Sequence, residues 1–331
     1  TLVQWLNQHF SSENIQLTAL TGDAGFRRYY RFEHQGHLFI AVDAPIDKSN
    51  NAAFVFMQEK LSRNNVLVPK IIAVDLSLGF FCLADFGQTL LADVLTSKNM
   101  ATIYQKAIDI LPRIQTALPE NSKQLPQYDL SLITTELHIF SEWLLTKHLS
   151  LTLSEHEQQQ LAHCFAILTD NMLSQPQLIV HRDYHSRNIM VLENNDFGII
   201  DFQDAVIGPI TYDLVSLLRD CYMRWPSEQV AQLLTYYIEM IAQQHSLEAI
   251  TRQQWQRWFD LTGLQRHLKA SGIFARLHHR DNKSGYLPDI PLTLNYIVEV
   301  SKQYPEFAFL HQLLQTKVLP AIASINERDL T

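Results

Sequence analysis

Two short polar segments carry the residues of this chain that could do chemistry. The first, HRDYHSRN at residues 181–188, holds two His, two Arg, an Asp and an Asn, and the second, IIDFQDA, spans residues 199–205. Asn188 and Asp201 offer oxygens of the kind that Mg²⁺ accepts when water and phosphate supply its other ligands. Asp183 is a separate carboxylate that could orient an acceptor hydroxyl and take its proton. Residue types and spacing together predict magnesium-assisted phosphoryl transfer.

Two other interpretations of these residues stay open. An Asp or Asn in a loop often only forms a turn. Alternatively, His181, Asp183 and His185 could ligate the metal of a hydrolase, but only two histidines lie close together, so this is the weaker interpretation. The combined pattern H-R-D-x-x-x-x-N followed by D-F, which is that of a protein-kinase catalytic loop, favours phosphoryl transfer.

The elements around the two segments must hold them rigidly. The apolar run QLIV precedes the first segment, and the turn residues ENND separate NIMVL from FGIID. This order predicts strand, loop, strand, turn and strand, with Asn188 opening a hairpin that Asp201 closes. The two residues would then be cross-strand neighbours, with Asp183 in the loop beside them.

The pattern of the whole chain changes at Gly87. Residues 1–87 contain short β-branched and aromatic runs separated by turn residues, with one helical pattern at NNAAFVFMQEKLSRNN. Residues 88–331 mostly repeat apolar residues at helical spacing. The predicted fold class is therefore α+β, with a small N-terminal antiparallel sheet lobe, one main helix in it, and a larger, mostly helical C-terminal lobe.

Composition excludes several classes of protein. The 331 residues carry 26 Lys and Arg against 34 Asp and Glu, so a net charge of -8 gives no positive surface for nucleic acid or an anionic membrane. Cys82, Cys164 and Cys221 contain no C-x-x-C pair. No apolar run approaches the roughly 18 residues that a membrane span needs. We expect a cytoplasmic protein without nucleic-acid or membrane partners.

Several longer segments carry a resemblance to a known superfamily. HRDYHSRNIMVL, GIIDFQDAVIGPITYDLVSLLRD and GDAGFRRYYRF resemble the aminoglycoside phosphotransferase and choline kinase superfamily. Within it, RRYYRF, VDAP and GLQRHLKASGIFARLHHRDNKSGYLPDIP look like the bacterial anomeric amino-sugar kinases of cell-wall recycling. The resemblance implies a protein-kinase-like two-lobed fold, ATP and Mg²⁺ as cofactors, and phosphorylation of the 1-hydroxyl of N-acetylmuramate or N-acetylglucosamine.

Matching positions imply roles for the polar segments. Asp183 would be the catalytic base, and Asn188 and Asp201 would hold Mg²⁺. The first lobe, residues 1–87, would bind the nucleotide. The second, residues 88–331, would hold the catalytic loop and the acceptor site.

The same resemblance implies nucleotide-binding residues in the first lobe. TGDAG, which ends at Gly25, would be the phosphate loop, although it lacks the pattern G-x-G-x-x-G. Adenine would bind the backbone between Leu83 and Asp85. Glu59, in MQEKL, could be the helix Glu that pairs with the phosphate-binding cation in kinases, or an ordinary surface residue.

The chain departs from the kinase pattern on its third strand. Kinases carry a phosphate-binding Lys there in V-A-I-K, but IAVD places Asp43 at that position. If RRYYRFEH and HLFIAVD form a hairpin that turns at Gln35 and Gly36, Arg28 lies opposite Asp43. Arg28, oriented by Asp43, would then replace the Lys, with Arg31 as the alternative if the register slips. An exposed ion pair without a ligand is the competing interpretation.

The acceptor is indicated by a basic stretch in this acidic protein. Five Lys or Arg and one acid occur from Arg266 to Lys283, which favours an anionic sugar over a polycationic aminoglycoside. Arg266 and His267 in this stretch are candidate acceptor contacts, as are Arg187 and Asp204 beside the catalytic residues. A solvated helix face could carry the same charges without binding anything.

Other functions on the same fold stay open. The acceptor could be an aminoglycoside, a choline-like alcohol or homoserine, and the missing strand-three Lys could mean a protein that only binds nucleotide. Asp183, Asn188 and Asp201 together favour an enzyme. A protein acceptor is disfavoured, because no A-P-E segment or long activation loop follows DFQD.

Overall fold

The structure is a computed structural model that describes residues 1–20, 26–118 and 123–328, with side chains described as far as residue 325. Its contacts group the chain into two compact units, residues 1–124 with 181–205 and residues 125–180 with 206–331. The α+β class is confirmed, since an antiparallel sheet comes first and helices dominate the rest. The predicted boundary at Gly87 follows the end of this sheet, whereas the first compact unit continues to residue 124.

The first unit contains a five-stranded antiparallel sheet and short helices. The strands are β1 (Thr18–Ala19), β2 (Arg28–His34), β3 (His37–Asp43), β4 (Ile71–Asp75) and β5 (Phe80–Ala84), in the spatial order β1-β2-β3-β5-β4. The helices are α1 (Leu2–Phe10), α2 (Asn51–Arg63), α3 (Leu91–Val94), α4 (Met100–Ile108) and α5 (Leu111–Gln115). Asn50 starts α2, because its side chain accepts the Ala53 N–H at 3.1 Å.

The hairpin of β2 and β3 has the register predicted from the sequence. Gln35 and Gly36 turn the chain with φ values of 51° and 77°, as the two central residues of a type I′ turn require. His37 consequently pairs with His34. The same register places Asp43 opposite Arg28 at the far end of the hairpin.

The two faces of the sheet pack against different helices. Alternation along β2 places Arg28, Tyr30 and Phe32 on one face, and this face packs against Leu2 and Leu6 of α1. Tyr29 therefore points to the opposite face. The register places Val42 and Phe81 there too. Phe81 contacts Phe54 of α2 edge-on, with ring centroids 5.4 Å apart.

The catalytic segment lies in the first unit around a small hairpin. Strand β6 (Gln177–Val180) precedes it, β7 (Ile189–Val191) and β8 (Phe197–Ile199) form the hairpin, and β9 (Val206–Pro209) follows. Ile189 pairs with Ile199, and β6 pairs with β9 in the second unit. The predicted order of strand, loop, strand, turn and strand is confirmed.

The second unit is helical. Its α-helices are α6 (Leu130–Ile139), α7 (Glu155–Leu173), α8 (Tyr212–Leu218), α9 (Ser227–Gln244), α10 (Arg252–Asp281), α11 (Ile290–Gln303), α12 (Ala308–Leu313) and α13 (Leu319–Arg328). Two π-helical segments (Phe140–His148, Leu314–Val318) and two 3₁₀ turns (Ser284–Asp289, Pro305–Phe307) complete it. No helix in the described part of the chain is long and apolar enough to cross a membrane.

Helix α10 runs through the middle of this unit. It packs against α6, α7, α8 and α11, so 16 of its 30 residues are buried. Gly272 allows the closest approach, because a Cβ there would lie 2.5 Å from the carbonyl oxygen of Ile139. Ile139 directly precedes the π-helical segment Phe140–His148, so the helix backbones meet at this glycine without an intervening side chain.

Candidate active site

His181 ties the catalytic loop to the β7–β8 hairpin. Its Nε2 lies 3.0 Å from the carbonyl oxygen of Ile200, and its Nδ1 lies 3.3 Å from the backbone N–H of Asp183. Nε2 therefore donates and Nδ1 accepts, which is the pattern of a neutral imidazole. Arg182, between His181 and Asp183 in the sequence, has a φ of 75°. This backbone conformation is uncommon and persists only where the surrounding structure holds it. The His181 ring thus fixes the backbone of Asp183 relative to the end of the hairpin.

Asn188 connects the end of the loop to its beginning. Its side-chain Nδ2 donates to the carbonyl oxygen of Asp183 at 3.0 Å, and its own carbonyl accepts the Ile200 N–H at 3.1 Å. The side chain is buried. Because the amide nitrogen is committed to the loop, the amide oxygen is the atom left for a ligand.

Asp201 follows the hairpin with a φ of 64°, so the chain turns sharply there. Solvent reaches its side chain, yet the surrounding protein desolvates the carboxylate and raises its pKa; the carboxylates of Asp183 and, more weakly, Asp204 add to this rise. Gln203 opposes it by donating from Nε2 to Asp201 Oδ1 at 2.7 Å. The structure therefore brings Asp183, Asn188 and Asp201 together, with Asp204 nearby.

The donor set of this site suits a divalent cation. The carboxylates of Asp183 and Asp204 disfavour the charged form of Asp201, and the buried Gln203 Oε1 beside it has no hydrogen-bond partner among the described residues. No group of three or more His, Cys, Asp or Glu in the described part of the chain forms a complete metal cage. Magnesium needs none, because water and phosphates fill most of its coordination shell. Asn188 and Asp201 fit this requirement.

Phe202 anchors Asp201 to helix α2. Its side chain is fully buried and stacks on Phe54, with ring centroids 4.9 Å apart and planes inclined by 24°. The backbone of the hairpin is held as well, since the Ile199 N–H donates to the carbonyl of Leu67 at 2.8 Å. We call Asp183, Asp201 and Asp204 the acidic group; its member Asp201 is therefore held by α2 and by the segment that follows this helix.

Tyr29, near the start of β2, interacts electrostatically with Asp201 and with Arg27, and the sequence pattern did not identify either residue. Burial and the Asp201 carboxylate raise the pKa of Tyr29 to about 12, while the charge and hydrogen bond of Arg27 oppose this rise. The Arg27 guanidinium also lies 5.6 Å from the centre of the Phe54 ring and donates to the carbonyl of Asn50 at 3.3 Å. The one feature of RRYYRF that could have identified them is strand alternation, which puts Arg27 and Arg28 on opposite faces of the sheet.

Arg28 is paired as predicted but points away from the acidic group. Its Nη2 lies 2.6 Å from Asp43 Oδ2, and its side chain is 63% exposed. Asp43 pairs in turn with Phe80, whose ring contacts Trp5 of α1. Arg28 therefore shares the α1 face of the sheet, opposite to Tyr29. The predicted pairing of Arg28 with Asp43 is confirmed, whereas a role of Arg28 at the nucleotide phosphates stays a prediction that its position on the α1 face does not favour.

The alternative cation, Arg31, is committed elsewhere. Its Nε and Nη2 bind the two carboxylate oxygens of Asp85 at 2.5 and 3.0 Å, and Nη2 also donates to the carbonyl of Gly87 at 2.7 Å. Asp85 is thereby held by Arg31 at the end of the sheet. Next to it, the Ala84 N–H donates to the carbonyl of Lys70, and Leu83 is buried within β5.

Glu59 and Gly25 complete the predicted nucleotide residues. Glu59 pairs along its own helix with Arg63 at 3.0 Å and with Lys60 at 3.5 Å, and not with Arg28. This is an exposed pair on the surface of α2. Gly25 and the rest of TGDAG, residues 21–25, lie outside the residues that the structure describes.

The candidate acceptor residues of α10 are engaged inside the second unit. Arg266 donates to Ser216 Oγ at 2.7 Å and lies 5.1 Å from the centre of the Tyr212 ring. His267 is fully buried and stacks on Tyr296 with ring centroids 4.5 Å apart. Burial lowers the pKa of His267 to about 3, so it is a neutral core residue.

Other charges of the basic stretch are also balanced. Lys269 pairs with the buried Glu136 at 2.9 Å, and Arg280 binds the neighbouring Asp281 at 2.8 and 2.9 Å. The positive field predicted from the sequence is therefore weaker than the number of basic residues indicates. In the first unit, Arg187 is half-buried within the catalytic loop and Asp204 is exposed beside Asp201.

Comparisons with known proteins agree with this geometry. The sequence profile of the phosphotransferase enzyme family matches residues 16–278. The chain is 40% identical to an N-acetylmuramate/N-acetylglucosamine kinase of Pseudomonas putida, covering 90% of this chain and 87% of that protein. It is 37% identical to an enzyme of the same name from Neisseria meningitidis serogroup B, covering 95% and 94%.

Solved structures share the fold at low sequence identity. The ADP-bound aminoglycoside phosphotransferase APH(2'')-Ib is 14% identical, with a TM-score of 0.58, and the match covers 90% of this chain and 98% of that one. The choline kinase LicA from Streptococcus pneumoniae is also 14% identical, with a TM-score of 0.62 and coverage of 90% and 99%. The protein-kinase-like fold implied by the catalytic motifs is thereby confirmed.

Proposed function

This chain belongs to the phosphotransferase enzyme family, and on that premise we propose that it transfers the γ-phosphoryl group of ATP to the 1-hydroxyl of N-acetylmuramate or N-acetylglucosamine. The observation that carries the proposal is that Asp183, Asn188 and Asp201 lie close together in one site. The names of the relatives at 40% and 37% identity support the amino-sugar acceptor. Consumption of ATP fits the cytoplasmic location expected from the sequence.

Asp183 is the proposed catalytic base. Its backbone is fixed by His181 and Asn188, so its carboxylate can hold the acceptor hydroxyl in line with the phosphoryl group and accept the proton as the new bond forms. It is half-buried rather than enclosed, which leaves room for a sugar hydroxyl to reach it. Fixing the hydroxyl in this way supplies much of the catalysis, because phosphoryl transfer depends mainly on positioning and charge stabilisation.

Asn188 and Asp201 are the proposed Mg²⁺ ligands. Asn188 would bind through its amide oxygen and Asp201 through its carboxylate, which Gln203 orients. These two residues would hold the ion beside the nucleotide, where it would supply positive charge against the charge that develops on the phosphates. Its charge would also relieve the repulsion among the carboxylates around Asp201.

Arg187 and Asp204 are the proposed acceptor contacts. Both belong to the same unit as Asp183, and they offer a cation for the lactyl carboxylate of N-acetylmuramate and an acceptor for sugar hydroxyls. Arg266 and His267 are not proposed as acceptor contacts. Arg266 binds Ser216 and lies over the Tyr212 ring, and His267 is enclosed in the core.

The proposal is tested by ADP release from ATP and Mg²⁺ with a panel of acceptors. We expect turnover on N-acetylmuramate and N-acetylglucosamine, and none on the 1-O-methyl glycoside of N-acetylglucosamine, whose anomeric oxygen carries no proton. Phosphorus–carbon coupling at C1 in the product would identify the position. Turnover confined to aminoglycosides, choline or homoserine would contradict the acceptor class. ADP binding without turnover on any acceptor would contradict an enzymatic role.

A further inference from the structure

A kinase-like site needs a fixed cation at the nucleotide phosphates, and the residue that usually supplies it is absent here. Asp43 occupies its place on β3 and is bound to Arg28 at 2.6 Å. Arg28 lies on the α1 face of the sheet, and Arg31 is held by both oxygens of Asp85. Neither of the two arginines suggested by the sequence is therefore available on the side of the acidic group.

Arg27 lies on that side. Its guanidinium is 5.6 Å from the centre of the Phe54 ring, and Phe54 stacks on Phe202, the residue directly after Asp201. Arg27 immediately precedes β2, and by alternation it falls on the same face as Tyr29. Ring contacts through Phe54 and Phe202 thus lead from Arg27 to the residue beside Asp201, and Tyr29 interacts electrostatically with both Arg27 and Asp201.

Among the described residues, the partners of the Arg27 side chain are uncharged: the hydroxyl of Tyr29, the carbonyl of Asn50 at 3.3 Å and the face of the Phe54 ring. A guanidinium has five N–H donors, so donors remain for phosphate oxygens. Arg28 and Arg31 differ in this respect, because a carboxylate neutralises each of them.

We propose that Arg27 is the phosphate-binding cation of this chain, held toward the nucleotide by Tyr29 and Phe54 in place of the strand-three Lys. The planar guanidinium can bind two phosphate oxygens at once, and it needs support from its surroundings to keep one orientation. Tyr29 and Phe54 give that support. The inference rests on the proposed function only in requiring a nucleotide, and it is independent of the acceptor.

The adjacent arginines provide a matched pair for the test. Arg27→Met and Arg28→Met remove the same charge from neighbouring positions on opposite faces, and calorimetric titration compares ADP with adenosine, which lacks phosphates. For Arg27→Met we expect ADP affinity to fall about 30-fold while adenosine affinity changes less than twofold, since one charged hydrogen-bonding group is lost. For Arg28→Met both affinities should stay within twofold of wild type. Arg27→Lys should recover part of the ADP affinity.

Each result of these titrations supports or contradicts the role of Arg27. If Arg27→Met binds ADP as wild type does, or loses ADP and adenosine equally, Arg27 does not bind phosphate and the inference is wrong. If Arg28→Met alone loses ADP, the cation is Arg28. Tyr29→Phe, which removes only the supporting hydroxyl, should weaken ADP binding about threefold and leave adenosine unchanged. A wrong acceptor would abolish sugar turnover without altering any of these affinities.

Discussion

The catalytic segment, residues 181–205, and helix α10 both carry many charged side chains, but the protein treats these charges differently. Around Asp201 the carboxylates repel one another and remain accessible to solvent. In α10 the charges meet partners inside the second unit, as Lys269 meets Glu136. Carboxylates that are close together and reached by solvent can act on a ligand, whereas an ion pair enclosed in the protein acts on the stability of the fold.

The largest effect is expected at Asp183. Asp183→Asn keeps the size of the side chain but removes the base, so kcat should fall about 1000-fold while the melting temperature stays unchanged. Asp196→Asn is the matched control, because Asp196 is an exposed carboxylate in the turn of the same hairpin, and its kcat should equal that of wild type. Steady-state kinetics and thermal unfolding measure both. If Asp183→Asn retains activity, Asp183 is not the base, and the catalytic segment would not differ from α10 in acting on a substrate.

The next effect concerns the buried ion pair of α10. Lys269→Met leaves the Glu136 carboxylate, whose side chain is 4% exposed, without its cation, so the free energy of unfolding should fall by about 3 kcal/mol. The acceptor KM of the folded enzyme should not change. Denaturant unfolding and acceptor titrations measure these two quantities.

A second change in the same pair provides the control. Adding Glu136→Gln to Lys269→Met removes the stranded charge and should restore most of the stability. If Lys269→Met instead raises the acceptor KM many-fold at constant stability, the basic residues of α10 bind the acceptor. The charges of both regions would then act on substrates.

A smaller effect is expected from pH at His267. Its pKa of about 3 in the folded chain lies below the ordinary value of 6.5, so the unfolded chain binds the proton more readily. Stability from this residue is fully present above pH 6.5 and is lost as pH falls toward 3, by about 2 kcal/mol between pH 7 and pH 5.

His267→Gln should reduce this pH dependence, since Gln cannot take up a proton yet can donate to the Arg219 carbonyl that His267 now contacts at 2.9 Å. Unfolding free energies of both proteins at pH 7 and pH 5 provide the comparison. Equal slopes for wild type and variant would mean that His267 titrates normally and is not the enclosed residue described above.

The smallest effect is expected at Glu59. Glu59→Gln removes an exposed pair with Arg63, so stability should fall by no more than about 0.5 kcal/mol and the ATP KM should stay within twofold. Kinetics at varied ATP concentration test this. A tenfold rise in KM would show that Glu59 supports the phosphate-binding cation as its kinase counterpart does, although it lies on an exposed helix surface.

The sequence predicted the parts of this molecule that short-range geometry determines. The register that pairs Arg28 with Asp43 followed from one two-residue turn. The β7–β8 hairpin followed from the ENND turn, but its register places Asn188 opposite Ile200, so the predicted pairing of Asn188 with Asp201 was wrong by one residue. In both cases few backbone angles separate the residues concerned, so their spacing predicts each hairpin to within one residue.

Prediction was less successful where packing decides. The register of β2 could be counted, but the face covered by α1 could not, so the sequence did not show that Arg28 lies on this face and Arg27 on the face of α2. Helix α10 shows the same limit, because its neighbours cover it on several sides and bury polar residues such as His267. Which partners a helical residue meets depends on segments far away in sequence.

The contact at Gly272 has a consequence for attempts to redesign this scaffold. A hydrogen atom is the only substituent that fits against the Ile139 carbonyl, so any side chain at this site would displace α10 from the widened helical turns that follow Ile139. Libraries aimed at new substrate preferences should therefore keep this glycine and the chain length of both neighbours constant.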